Sequence, residues 1–113
     1  MFVQVDTTQM PPVVTLEEPD DTKQFQLTVV GGSAADHGLV YGALVDAAAG
    51  RLDGEHAWIA VDAVRRMAAG RTGPGWDVDF EAMLEYASGK GWIDETGATI
   101  RAHVEWKSGF SAR

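Results

Sequence analysis

The chain contains no cysteine. That excludes a disulfide-stapled scaffold, a thiolate zinc or iron–sulfur centre and a cysteine nucleophile. No apolar run approaches the ~18 to 20 residues of a membrane-spanning helix. The start Met1-Phe2-Val3-Gln4 lacks the basic and apolar regions of a signal peptide, so a cytoplasmic protein is expected. Bases are scarce: 9 Lys and Arg stand against 17 Asp and Glu, a net charge of -8. Such a balance repels nucleic acid and anionic membranes on average. The three histidines, His37, His56 and His103, share no i, i+3 or i+4 spacing, and no H-E-x-x-H occurs. Spacing therefore predicts no metal site and no cofactor. Ser33 follows Gly31-Gly32 at a strand-to-helix junction, but G-x-S-x-G, G-x-x-x-x-G-K-[ST] and G-x-G-x-x-G are all missing.

What is present suits one globular domain of 113 residues, 45% hydrophobic and 23% charged. Residues 1–32 read as an extended, strand-rich N-terminal part. Pro11-Pro12 forbids helix there. Val13 to Glu17 is a short strand, and Glu18-Pro19-Asp20-Asp21 is turn chemistry. In Gln24 to Val30, Phe25, Leu27 and Val29 alternate with polar residues, the period of a half-wet strand. The two strands predict an N-terminal β-hairpin.

Residues 33–106 read as helices and a second hairpin. Ser33 and Asp36 have capping-box spacing. The helix they open runs to about Ala49, with Gly50 closing it. Leu39, Val40, Ala43, Leu44 and Ala47 form its buried stripe, widened by Tyr41 and Val45, and Gly38 and Gly42 let a neighbour approach. Ala57 to Ala60 is a short strand, and a second helix spans Val61 or Asp62 to Ala69. Asp77 N-caps a third helix to about Ser88, with Phe80, Met83, Leu84 and Ala87 on its apolar face. Thr96-Gly97 then turns a hairpin in which Ile93 faces Ile100 and Trp92 faces Arg101. Residues 107–113 are expected to be a flexible tail.

The order helix, short strand, helix, helix, hairpin resembles the winged-helix branch of helix-turn-helix domains. Three segments carry the resemblance: residues 58–67, residues 80–87, and Lys90-Gly91-Trp92-Ile93 leading into the wing. The linker from Gly70 to Trp76 is longer than the tight turn of the DNA-reading prototype. The resemblance implies an α+β fold, a winged-helix-like three-helix core with a C-terminal wing. To this the first 32 residues add their own hairpin.

In DNA-binding members of that family the third helix enters the major groove. Here Asp77, Glu81 and Glu85 line one face of it, which suits a basic protein partner better than phosphate. Trp76 and Trp92 are candidate interface anchors beside them, while Trp58 and Trp106 are expected in the core. The function expected is therefore non-enzymatic protein interaction, in a monomer or a homodimer joined through an exposed N-terminal strand. One alternative is DNA contact through the wing, using Arg101, His103, Lys107 and Arg113 with Arg65, Arg66 and Arg71. Another is an anion site or small enzyme at Gly31-Gly32-Ser33.

Overall fold

A computed structural model describes residues 1–107. Most of the expected tail, including Arg113, lies outside the described residues. Three strands open the chain: β1 (Phe2–Asp6), β2 (Val13–Glu17) and β3 (Gln26–Val30). A 3-10 turn at Ala34–Asp36 leads into α1 (His37–Asp46), followed by β4 (Gly50–Asp53) and β5 (His56–Ala60). Then come α2 (Val61–Ala68), α3 (Trp76–Gly89) and β6 (Thr99–Lys107). All six strands join one sheet, in the order β2-β1-β3-β6-β5-β4. The pairs β1·β3 and β3·β6 are parallel, and the other three are antiparallel.

This arrangement overturns the winged-helix expectation. The described residues form a mixed, curled sheet, a half-barrel with three α-helices. The strand expected in a peripheral wing is instead the centre of the sheet, with β3 on one side and β5 on the other. Alternation along 99–107 is the same in either fold, because it fixes which residues face inward and leaves the partner strand open. The local half of the wing reading holds. Ile93 faces Ile100 in a single antiparallel bridge, and the Arg101 amide donates to the Trp92 carbonyl at 2.7 Å. The segment around Ile93 nevertheless forms only that bridge.

The N-terminal hairpin also differs from expectation. Val13–Glu17 pairs with β1, and β1 lies between it and β3. Val3 and Val5 thereby lose all contact with solvent. The amino group of Met1 donates to the carbonyls of Asp21 (2.8 Å) and Gln24 (3.2 Å), pinning the segment before β3. Burial pushes the pKa of this amine below its usual value, against the pull of the Asp21 and Glu18 carboxylates.

Register and alternation divide the sheet into two faces. Val3, Val5, Leu16, Leu27, Val29, Leu52, Ala57, Ile59, Ile100, Ala102 and Val104 point one way and form the core with helix residues such as Val40, Leu44, Val64 and Phe80. Opposite ends of the sheet, β2 and β4, both touch α1, so the sheet curls around the helices. The other face is mostly polar, although Thr28 on it is buried and Phe2, Val30 and Trp58 are half-buried. On it Gln26 donates to Thr28 and to Glu105, at 3.0 and 2.9 Å.

The first helix is less buried than its apolar sequence suggests. Val40, Ala43 and Leu44 are inside, but Leu39, Tyr41 and Val45 are exposed. Gly38 and Gly42 face open space, with nothing within 4 Å of an added Cβ. The helix ends at Asp46 with a left-handed residue at Ala48 (φ 54°). Gly50 is not its cap: it starts β4 beneath the Trp58 carbonyl, which a Cβ would meet at 2.1 Å. Gly75 (φ 92°), not Asp77, precedes α3, and no side chain caps that helix.

Candidate functional site

β6 changes neighbours along its length. From His103 to Lys107 it runs beside β3, whereas near Ile100 the same edge takes the Ile93 segment. Before Gln26 the chain therefore diverges from β6, and a strand whose two neighbours part leaves a crevice. A pocket of about 240 Å³ opens there. Its floor is apolar: Phe25, Met83, Ala87, Trp92 and Ile100. Tyr86 stands at the edge, its ring 6.1 Å from that of Trp92 in a T-shaped contact. Lys90 lies over the outer side of the Tyr86 ring at 5.5 Å.

The polar lining is Lys23, Gln24, His56, Arg101 and His103. Arg101 and His103 alternate along β6 onto the polar face, and His56 is the cross-strand partner of His103. Lys23 comes from the segment held by the Met1 amine. Among the described residues no carboxylate lines the pocket. In a chain with 17 Asp and Glu, the cations Lys23 and Arg101 gathered here beside two imidazoles are a local reversal of charge. Neither Lys23 nor Arg101 forms an ion pair among the described residues. Comparison with protein-family models, with curated proteins and with solved structures gives no match to this chain.

The residues singled out in the sequence are scattered by this fold. Of the interaction candidates, Asp77, Glu81 and Glu85 do lie exposed on α3. Glu81 accepts a hydrogen bond from the Arg65 guanidinium, which also covers the Phe80 ring at 4.9 Å. Trp76 is buried, 8% exposed, stacked on Phe80 at 4.7 Å and bonded through Nε1 to the Pro19 carbonyl at 2.7 Å. Trp92 lies in the pocket floor. The expected tryptophan roles are thus partly inverted, since Trp58 and Trp106 are only half-buried.

The DNA-contact candidates fall into two groups. Arg65 and Arg66 belong to α2 and Arg71 follows it; Arg66 and Arg71 donate to the carbonyls of Ala47 (3.1 Å) and Met67 (3.2 Å). Arg101, His103 and Lys107 sit on the polar sheet face away from the helices, with Glu105 among them. At the Gly31-Gly32-Ser33 junction the capping box forms as expected, though it opens the 3-10 turn. Asp36 accepts from the Ser33 amide at 2.9 Å, so a carboxylate already occupies the place an anion would take.

Sequence reasoning missed Lys23, Phe25, His56 and Tyr86 as site residues. The β5·β6 register, the divergence from β6 of the chain before β3, and the packing of α3 bring them together. No spacing in the chain signals the register or the divergence.

Proposed function

We propose that the domain binds a small organic acid in the pocket at the β6 fork. The observation that carries this reading is the charge reversal: in an acidic chain, no carboxylate of the described residues lines this apolar pocket, which is rimmed by Lys23, Arg101 and two imidazoles. Convergent polar groups over an apolar, aromatic floor are what small-ligand sites require. The guanidinium of Arg101 suits a carboxylate, which it grips through two parallel N–H donors. The volume, about 240 Å³, is below the ~300 to 1,000 Å³ of drug-sized pockets. It therefore suits a single-ring or branched-aliphatic acid, with the ring against Phe25 and Trp92.

Amide-resolved NMR titration with benzoate and phenylacetate, each beside its neutral amide, tests the reading. The acids are expected to shift the Trp92 indole N–H and the amides of Arg101 and Phe25, and the neutral amides to bind more weakly. Arg101→Gln should weaken acid binding roughly 10- to 100-fold, the worth of one charge-assisted contact at ~1.5 to 3 kcal/mol. Equal affinity for acids and amides, or no shift with millimolar acid, overturns it.

A further inference from the structure

We propose that His56 and His103 together form a binding site for a late first-row transition-metal ion such as Cu²⁺, Ni²⁺ or Zn²⁺. The two lie directly opposite each other on β5 and β6. The Val104 amide donates to the Glu55 carbonyl, so Val104 and Glu55 form a hydrogen-bonded pair of the ladder. By alternation His56 and His103 occupy the next, non-hydrogen-bonded pair, where opposed side chains stand closest. Their ring centroids are 6.3 Å apart, with ring planes at 73°. With metal–nitrogen bonds of about 2.1 Å, two imidazoles sharing an ion have centroids on the order of 5 to 6 Å apart. A small rotation of His103, whose side chain is exposed, closes that difference.

The surroundings select the kind of ion. The polar residues flanking the pair in the same row across the sheet are Gln26 beside His103 and Asp53 beside His56. Asp53 is turned to the Trp58 indole N–H, at 3.2 Å. Among the described residues no third histidine or acid completes a cluster. Two imidazole donors, with the Asp53 carboxylate turned to Trp58 and the cations Lys23 and Arg101 lining the same pocket, favour Cu²⁺, Ni²⁺ and Zn²⁺ over Mg²⁺ and Ca²⁺, which need oxygen ligands. The remaining coordination positions stay open toward the pocket, as in catalytic rather than structural metal sites.

The test uses the full, untagged chain and the metal alone, so it does not depend on the acid-binding reading. Copper-loaded protein is expected to hold one Cu²⁺ per chain, with an EPR hyperfine pattern from two imidazole nitrogens. His103→Gln should weaken binding at least tenfold and reduce the pattern to one nitrogen. His56→Gln should do the same, and because His103 is exposed its variant remains informative if the His56 variant fails to fold. His37→Gln, altering the histidine on α1, should change nothing, and Arg101→Gln should leave metal binding intact even where it abolishes acid binding. Wild-type affinity in His103→Gln, a single-nitrogen pattern in the wild type, or equal affinity for Mg²⁺ overturns the proposal.

Discussion

At the scale of single residues, backbone handedness decides more here than side-chain type. Ala48 takes the left-handed conformation that ends α1, with φ 54°. The following amide, that of Ala49, reaches back to the Leu44 carbonyl at 2.8 Å, the wrap that satisfies a helix end. An L residue in that conformation costs ~1 to 2 kcal/mol, and glycine does not. Ala48→Gly is therefore expected to stabilise the protein by about 1 kcal/mol, seen as a rise in Tm. Gly50, two residues on, has φ 146° and lies against the Trp58 carbonyl. Gly50→Ala forces both strain and a backbone clash, and should lower stability by roughly 3 kcal/mol or more in urea unfolding. A sequence reader places the glycine cap at Gly50, because glycine is the usual left-handed residue. The structure puts an alanine there, and the glycine answers instead to a close approach between β4 and β5.

At the scale of elements, α3 packs into the core through Trp76, Phe80 and Ala87, and one hydrogen bond ties its start to a segment distant in sequence. The Trp76 indole N–H reaches the Pro19 carbonyl in the connection between β2 and β3. Trp76→Phe keeps the ring against Phe80 but leaves that carbonyl without its donor. The expected cost is about 1 to 2 kcal/mol in equilibrium unfolding, against ~3 to 5 kcal/mol for Trp76→Ala. An unchanged stability in Trp76→Phe would show that the bond does not tether the helix. Element identity was mostly legible in the chain. Period-two alternation marked β3 and β6, and the stripe Phe80, Met83, Leu84 and Ala87 marked α3. Partnership was legible only across short turns, as between Ile93 and Ile100. The parallel pairs β1·β3 and β3·β6 leave no local trace, because their register is set by shared burial across distant segments. For the same reason the pocket was not legible: Lys23, His56 and Tyr86 meet only after the sheet has closed.

At the scale of the whole molecule, the sheet order makes β6 indispensable. It pairs with β3 on one side and β5 on the other, and Val104, Ala102 and Ile100 carry the core across that seam. A chain ending at residue 98 would lose the join between β2-β1-β3 and β5-β4. It is expected to show no cooperative thermal transition and no tryptophan signal in near-UV circular dichroism. A cooperative transition in that fragment would contradict the topology, since a fold with a peripheral wing tolerates such a loss.

The same centrality orders events on the ribosome. Five strands emerge before the one that unites them, so the nascent chain carries two partial sheets with bare edges at β3 and β5. Both edges offer unpaired amides and carbonyls to any passing strand until residues 99–107 are released. Slower synthesis through this stretch prolongs that exposure, so aggregation during expression should rise as the codons for residues 99–107 and those after them are read more slowly.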